Sequence, residues 1–435
     1  MNAPTPASGE RTRARSVPSS GSAGAAHGTA TGADVAPLWA VMALSFVASL
    51  ASGVMWNGLA FVAKHDYGYD QQQTFLLYVA AGVIYVVGAF GAGRLSRVLA
   101  RWFSPRAVLV IVLSIQAAAS LTMLIRGAVW PLWFTACVAS AMASLLWPVV
   151  ESYVTAGRHG SVMRSALGWW NIAWTSGIAA ALFLMTPLVA NGVARWSIVS
   201  ILPVSVVCIG LLHWFPSAPA AHDTALASAA RTPEYPLLLR SARVLLPSSY
   251  LLIGALSPIL PYELARLGVR LDLETPMAAV WLTVRVLTIA LMWRSAFWHG
   301  RWGTLLLGAA LLTIGFAGVV LAPTWPILGA SLALFGAGHG VVYYAAIYYA
   351  MSVGHAAVEA SGTHEGLIGV GYALGPAVGL AGITIGGAAW APWMIGITWA
   401  ILSLGIGPGL MPYLAARRRR SAGAQQPPGT EGART

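Results

Sequence analysis

Charged residues are scarce in this chain. Only 9% of its 435 residues are Asp, Glu, Lys or Arg, whereas 57% are hydrophobic. Soluble domains carry roughly 25% charged residues, so this composition excludes a soluble multidomain enzyme. Cysteine is also scarce, since Cys137 and Cys208 are the only two and both lie in apolar runs, which excludes a disulfide scaffold. What the chain does contain is long apolar segments, and these predict a polytopic membrane protein.

Lysine is nearly absent, because Lys64 is the only one among the 25 basic residues of a chain with a net charge of +12. The arginines lie in short gaps between apolar runs and are not interleaved with aromatic residues in a basic stretch. They therefore predict orientation in a lipid bilayer and no nucleic-acid partner. If both termini are cytoplasmic, most arginines fall on the cytoplasmic side. The sequence thus predicts a multi-pass protein of the plasma (inner) membrane with both termini in the cytoplasm.

Twelve apolar runs of about 18–27 residues are each long enough to cross a bilayer. They lie near 38–63, 74–93, 107–125, 130–153, 165–189, 196–215, 244–263, 276–293, 302–321, 326–351, 365–387 and 391–413. The longest internal polar gap separates six runs from six. The predicted units are a disordered cytoplasmic tail (1–36), a six-helix bundle (37–215), a cytoplasmic central loop (216–243), a second six-helix bundle (244–415) and a basic, disordered cytoplasmic tail (416–435).

The two halves are related in sequence. Arg106 precedes Trp130-Pro131 by the same spacing that separates Arg301 from Trp325-Pro326, an offset of about 195 residues between the halves. Two glycine pairs lie near the same offset: Gly157 with Gly354, and Gly177 with Gly375. Such a repeat predicts an all-α membrane protein with twelve transmembrane helices in two pseudo-symmetric six-helix bundles.

This organisation resembles the major facilitator superfamily over about residues 37–415. The loop from Gly93 to Arg106 is similar to the family's Gly- and Arg-rich loop between spans two and three, but it lacks the family's aspartate. The pattern Gly371-xxx-Gly375-Pro376-xx-Gly379 is similar to one that antiporter branches carry in span five, but it lies in span eleven here. The motifs therefore identify no subfamily. The resemblance implies a secondary active transporter that moves a small solute by alternating access, without ATP hydrolysis and without a cofactor.

Two charged residues within the spans are candidates for transport chemistry. Arg285 lies in the middle of span eight, where an arginine costs about 2.5–3.5 kcal/mol and must face the protein interior or a wet cavity. It either neutralises a buried acid or binds an anionic substrate group. Glu151, near the cytoplasmic end of span four, either couples transport to protons or forms an inner gate with loop arginines. Whether Arg285 and Glu151 pair is left open by the sequence.

Uncharged polar and aromatic residues complete the predicted substrate site. His339 in span ten could bind substrate, or it could donate a hydrogen bond to a backbone carbonyl that the neighbouring glycines leave exposed. Asn57 and Asn171 are costly in hydrocarbon and form interhelical or substrate hydrogen bonds. Trp170 and Tyr343 supply aromatic surface. The predicted substrate-binding set is therefore Arg285, His339, Asn57, Asn171, Trp170 and Tyr343, and the predicted substrate is anionic or zwitterionic.

His364 and Glu365 are interpreted differently, as an interfacial cap at the start of span eleven. No Walker loop, GxSxG elbow or HExxH motif occurs, so neither an enzyme nor a metal site is expected. The alternative functions are a polytopic membrane enzyme and a transporter-like sensor without transport activity. The expected partners are a small-molecule substrate, with protons as a candidate coupling ion, and the bilayer around a monomer.

Overall fold

The structure is a computed structural model that describes residues 35–158, 160–220, 234–353, 358–386 and 390–424. Within these ranges the regular structure is entirely helical. The predictions for residues 1–34, 221–233 and 425–435, which cover most of both tails and half of the central loop, lie outside the described residues.

Twelve long helical segments follow one another along the chain. The first half contains α1 (Leu38–Tyr67), α2 (Gln71–Leu99), α3 (Pro105–Leu124), α4 (Trp130–Thr155), α5 (Gly160–Ala190) and α6 (Trp196–Trp214). The second half contains α7 (Tyr235–Arg266), α8 (Leu271–Arg294), α9 (Trp302–Val320), α10 (Trp325–Val353), α11 (Val358–Gly386) and α12 (Trp390–Ala424). In the described part, α1 to α11 are each long and apolar enough to cross a membrane. The predicted all-α fold is confirmed.

The repeated sequence motifs mark equivalent helix ends. α4 begins at Trp130-Pro131 and α10 begins at Trp325-Pro326. Proline suits the first turn of a helix because its missing N–H would have no partner there and its fixed φ is already helical. The tight turn after α1 is made by Gly68, whose φ of +64° is a left-handed conformation that glycine adopts without steric cost.

The repeat also appears in how the helices pack. In the first half α5 packs on α1, and a methyl group on Gly177 would collide with the carbonyl oxygen of Phe46. In the second half α11 packs on α7, and a methyl group on Gly375 would collide with the carbonyl oxygen of Leu251. Small residues let two backbones approach closely in a membrane, where packing drives helix association. Gly177 and Gly375 therefore have the same role in the two halves.

Two helix pairs join the halves, α2 with α11 and α5 with α8. Each contact depends on a glycine: Gly82 of α2 lies against the backbone of Tyr372, and Gly168 of α5 lies against the indole of Trp293. These pairs are equivalent under the repeat, because α5 corresponds to α11 and α2 corresponds to α8. The space between the halves lies between these two interfaces.

Several helices extend beyond the apolar runs. α7 begins at Tyr235, within the predicted central loop, and α11 begins at Val358 rather than near 365. α12 continues to Ala424, so residues 416–424 of the predicted disordered tail are helical. Alanine and arginine are strong helix formers, and a helix that has already formed adds such residues at little cost. Hydropathy detects only the part of a helix that is apolar.

Candidate functional site

A small cavity lies between the two halves and is lined mainly by aromatic rings. Its volume is about 50 Å³, and we call it the aromatic cavity. Its walls come from α1, α2, α4, α5, α7, α10 and α11, and they consist of Ser52, Trp56, Tyr85, Trp147, Trp170, Trp174, Ile178, Tyr250, Tyr343, Glu365, Ile368 and Tyr372. Glu365 is the only charged side chain among these described residues.

An irregularity in α1 positions one wall of this cavity. Residues Val54–Gly58 form a π-helical turn, a distortion that often occurs at functional sites. The Tyr78 hydroxyl donates to the carbonyl oxygen of Trp56 over 3.2 Å. The indole of Trp56 stacks on Tyr372 of α11, with ring centroids 4.2 Å apart, and meets the edge of Tyr85 at 5.4 Å. This wall therefore joins helices from both halves.

Arg285 lies directly behind the opposite wall. Its guanidinium carbon is 4.6 Å from the centre of the Trp174 ring and 5.0 Å from that of Tyr343, within the range of cation–π attraction. Nη2 donates to the Tyr250 hydroxyl over 3.3 Å, and Nε has no hydrogen-bond partner in the described part of the chain. Arg285 is only 2% exposed and forms no ion pair with a described residue, Glu151 included. One layer of rings separates this cation from the cavity.

Glu365 is not the predicted interfacial cap. α11 begins at Val358, so Glu365 lies about two turns inside the helix and its side chain reaches the aromatic cavity. Its carboxylate accepts a hydrogen bond of 2.8 Å from the Tyr85 hydroxyl of the other half. The sequence-based interpretation was wrong because it placed the start of α11 at the edge of the apolar run. The side chain of His364 is outside the described residues.

Glu151 on α4 is buried, with 9% of its surface exposed, and lies close enough to Glu365 for the two charges to interact. It forms no ion pair with any described residue, so a gate between Glu151 and the loop arginines is not present in this conformation. Arg158 instead donates to the carbonyl oxygens of Tyr153, Val154 and Ala36. One carboxyl group from each half is thus within electrostatic range of the other, and Glu365 lines the aromatic cavity.

His339 is fully buried behind the Arg285 side of the cavity. Its ring lies parallel to that of Tyr343, with centroids 6.2 Å apart, and meets Tyr250 edge-on at 5.0 Å. Neither ring nitrogen has a hydrogen-bond partner among the described residues. His339 therefore shares two aromatic neighbours with Arg285 but does not itself line the cavity.

The remaining predicted site residues lie in three different places. Trp170 lines the aromatic cavity, where its indole N–H donates to Ser45 over 3.0 Å. Asn57 is buried in the π-helical turn, and its amide oxygen has no partner among the described residues. Asn171 lines a second, larger cavity of about 280 Å³, which also contains Arg164 and which we call the Arg164 cavity. The amide oxygen of Asn171 accepts from the Trp174 indole over 3.1 Å, so this side chain links the two cavities.

The two ends of the bundle differ. At one end, which we call the Lys64 end, Glu274 of α8 is 3.2 Å from Lys64 Nζ and 2.7 Å from His65 Nε2. Lys64 also donates to the carbonyl oxygen of Pro261 over 2.6 Å. These contacts join the halves at this end. The Arg164 cavity lies at the opposite end, the Arg164 end, where the halves leave space between them.

Comparison with known proteins identifies the fold. The family model described as Major Facilitator Superfamily matches residues 41–376, which is more than half of the chain. The chain belongs to the major facilitator superfamily. It is therefore an integral, multi-pass membrane protein of a transporter family. No curated protein matches the chain significantly.

Two solved structures share this major facilitator fold. The nucleoside transporter NupG is 14% identical with a TM-score of 0.61, and the match covers 85% of this chain and 98% of that chain. A bacterial homologue of the human lysosomal transporter Spinster, in an inward-facing and unoccupied conformation, is 14% identical with a TM-score of 0.57 and covers 87% and 96%. At this identity the similarity shows the fold alone.

Sequence reasoning on this major facilitator chain missed Glu365 and Tyr250 as parts of the site. Glu365 was missed because it lies at the end of an apolar run, where a buried acid and an interfacial acid have the same local sequence pattern. Tyr250 contacts both Arg285 and His339, and no local pattern distinguishes it from a packing residue. Among the described residues, no cluster of three or more His, Cys, Asp or Glu side chains is placed to hold a metal ion.

Proposed function

We propose that this protein is a secondary active transporter that moves a small zwitterionic or anionic solute across the plasma membrane by alternating access. The observation that carries the proposal is Arg285, a buried cation beside the central cavity with no acidic partner among the described residues. An intramembrane charge is expensive and is retained mainly where it has a function. Rotation of the Trp174 or Tyr343 ring would bring a substrate carboxylate or phosphate against the guanidinium.

The opposite side of the cavity favours the zwitterion. Glu365 is the one acidic side chain among the described wall residues, and it accepts a hydrogen bond from Tyr85, whose ring contacts the rings of Trp56 and Tyr372. A carboxylate among aromatic rings suits an ammonium group, which is attracted both by the opposite charge and by the faces of the rings. A zwitterion oriented between Glu365 and Arg285 would satisfy both charges. Trp170 and Tyr343 would contact its flat or apolar part.

The polar residues behind the walls support the same site. His339 and Asn57 have unpaired hydrogen-bonding atoms in the described structure, and Asn171 holds the indole of Trp174. Buried polar atoms without partners are costly, so a substrate or water that reaches them is favoured. We assign His339, Asn57 and Asn171 to substrate binding or to positioning the aromatic walls.

Protons are the proposed coupling ion, and Glu151 and Glu365 are the proposed carriers. The two side chains come from different halves, and their charges interact. When two carboxyl groups interact, protonation of one depends on the charge of the other, and relative movement of the halves would change that interaction. Proton uptake and release would therefore follow the same motion that moves the solute.

The distribution of arginines supports the proposed orientation. The basic residues at the Lys64 end are Lys64, Arg126, Arg195, Arg266 and Arg270. Those at the Arg164 end include Arg94, Arg97, Arg101, Arg106, Arg158, Arg164, Arg240, Arg243, Arg294, Arg301, Arg417 and Arg418. Cytoplasmic ends of membrane proteins carry the excess of basic residues, so we place the Arg164 end and both termini in the cytoplasm.

The decisive experiment is flux in proteoliposomes after a metabolite panel has identified a stabilising solute by its effect on Tm. Arg285→Gln should abolish saturable counterflow of that solute while the protein remains folded and inserted. The matched control is Arg294→Gln, which makes the same substitution at an exposed position in the last turn of the same helix. Normal transport by Arg285→Gln would refute the assignment of Arg285.

The same preparation separates transport from the alternatives. An enzyme or a sensor would show no saturable counterflow of any solute in the panel. An imposed pH gradient should drive uptake by the wild-type protein, while Glu151→Gln, which changes a carboxyl group outside the described lining of the aromatic cavity, should retain counterflow but lose the response to the gradient. Equal responses of both proteins to the gradient would remove Glu151 from the coupling mechanism.

A further inference from the structure

The Arg164 cavity is larger than the cavity assigned to transport. Its volume is about 280 Å³, against about 50 Å³ for the aromatic cavity. A cavity of about 150 Å³ is enough to bind benzene, so the Arg164 cavity has room for a substituted ring. It is formed by α5 of the first half together with α8, α10 and the loop before α9 of the second half. An occupant would therefore contact both halves.

The polar part of this cavity is suited to an anion. Arg164 is exposed, and it forms no hydrogen bond or ion pair with any residue that the structure describes. Ser161 and Ser165, on the same face of α5, contribute hydroxyl groups to the same wall. These residues lie in the first turns of a 31-residue helix, where the helix dipole adds positive potential. No acidic side chain is among the described residues of the lining.

The other part of the cavity is flat and aromatic. The rings of His299 and Tyr348 are stacked, with centroids 4.2 Å apart and an angle of 22° between their planes, and the indole-bearing Trp293 also lines the cavity. Burial lowers the pKa of His299, and the positive charge of Arg164 lowers it further. The imidazole is therefore neutral at pH 7 and behaves as a flat, weakly polar surface. Rings of this kind bind planar groups by stacking.

We propose that the Arg164 cavity is a second binding site, for a small planar anion such as an aromatic or heteroaromatic carboxylate. The site goes beyond the proposed transport function, because binding here requires Arg164 and not Arg285. Asn171 lines this cavity and holds the indole of Trp174, which lines the aromatic cavity and covers Arg285. A ligand in the Arg164 cavity would thus be separated by one side chain, Asn171, from Trp174 in the wall of the aromatic cavity.

The test uses the full-length protein in detergent, with benzoate as the planar anion. Benzamide is the neutral probe of similar shape, and inorganic phosphate is the anion without a ring. The rise in Tm with ligand concentration gives a Kd for each probe. Benzoate should bind in the millimolar range, and benzamide and phosphate should each bind about tenfold more weakly, because each lacks one of the two recognised features.

Substitutions then locate the site. Arg164→Gln should weaken benzoate binding about tenfold, the loss expected for one charge-assisted contact. The matched control is Arg97→Gln, which removes an exposed arginine at the same end of the bundle that lines neither cavity, and it should leave the Kd unchanged. Arg164 is exposed, so its replacement should not prevent folding, and size-exclusion chromatography verifies this.

The second binding site and the proposed transport function are refuted by different results. Benzoate binding that is weakened by Arg285→Gln and not by Arg164→Gln would place the anion in the aromatic cavity and overturn the second site. Equal affinity for benzoate and benzamide, or no binding of benzoate, would also overturn it. Arg285→Gln that abolishes flux but retains benzoate binding would support both the second site and the transport role of Arg285. Normal flux with Arg285→Gln would refute the transport role alone.

Discussion

Glu274→Gln should loosen the closure of the Lys64 end. The Glu274 carboxylate is 2% exposed and bridges Lys64 and His65, whose side chains are 17% and 15% exposed. Breaking a fully buried ion pair costs about 3–5 kcal/mol. Here the cost is lower, because water reaches both partners and Lys64 keeps its hydrogen bond to the Pro261 carbonyl. We expect a loss of about 1–3 kcal/mol, which shifts the ratio of open to closed molecules about 5- to 150-fold.

Labelling of a cysteine beneath this closure measures the shift. Thr186 of α5 and Thr275 of α8 share a hydrogen bond of 3.0 Å across the interface of the halves. Thr186→Cys, in a background where Cys137 and Cys208 are replaced by Ser, should react with a membrane-impermeant maleimide at a rate proportional to the open fraction. The rate should rise about tenfold for each 1.4 kcal/mol that Glu274→Gln removes.

Two further variants make the reasoning refutable. Glu263→Gln removes a carboxylate that pairs with Arg266 within the same helix, so it crosses no interface and should leave the labelling rate unchanged. Lys64→Gln combined with Glu274→Gln should have less effect than the sum of the single substitutions, because both remove one interaction. A wild-type labelling rate in Glu274→Gln, or strict additivity in the double variant, would show that this ion pair does not hold the end closed.

Two other predictions concern packing and pH. Gly375→Ala should lower Tm, because the added methyl group meets the Leu251 carbonyl and overpacking costs about 1–3 kcal/mol. The control is Gly210→Ala, which has open space around it and should leave Tm unchanged or raise it. Equal effects of the two substitutions on Tm would refute the close approach of α7 and α11. Because the folded-state pKa of His299 is lowered, the unfolded chain binds its proton more readily, and this residue should reduce stability as the pH falls below about 6.5. The loss of Tm between pH 8 and pH 5 should therefore be smaller in His299→Gln than in the wild type, and identical losses would contradict the buried position of this ring.

Predictions that depend on local sequence proved the most secure. A membrane span needs only a continuous apolar run, so α1 to α11 were predictable one by one from hydropathy. The Trp-Pro pairs at 130 and 325 begin equivalent helices because proline acts on its own turn. Arg285 was expected to face the interior because the cost of an arginine in hydrocarbon depends on its depth and not on its neighbours.

The ends of helices and the partners of side chains were harder to predict from the sequence. Glu365 lies inside α11 because seven less apolar residues before it continue the helix, and hydropathy does not report helical residues that are not apolar. Arg164 was interpreted as one of many orienting arginines, yet it lines a cavity between the halves. Whether a basic residue at the end of a span faces lipid headgroups or a cavity is decided by the neighbouring helices.

The sequence by itself determined that this chain is a membrane protein of twelve spans in two related halves, since hydropathy and repeats are properties of continuous segments. Only the tertiary structure decided which side chains share a site. Trp56 stacks on Tyr372, Tyr85 donates to Glu365, and Trp174 lies over Arg285, although the partners are more than 100 residues apart. Such pairs form where helices of the two halves pack, and the rotation of each helix about its axis is set by its neighbours.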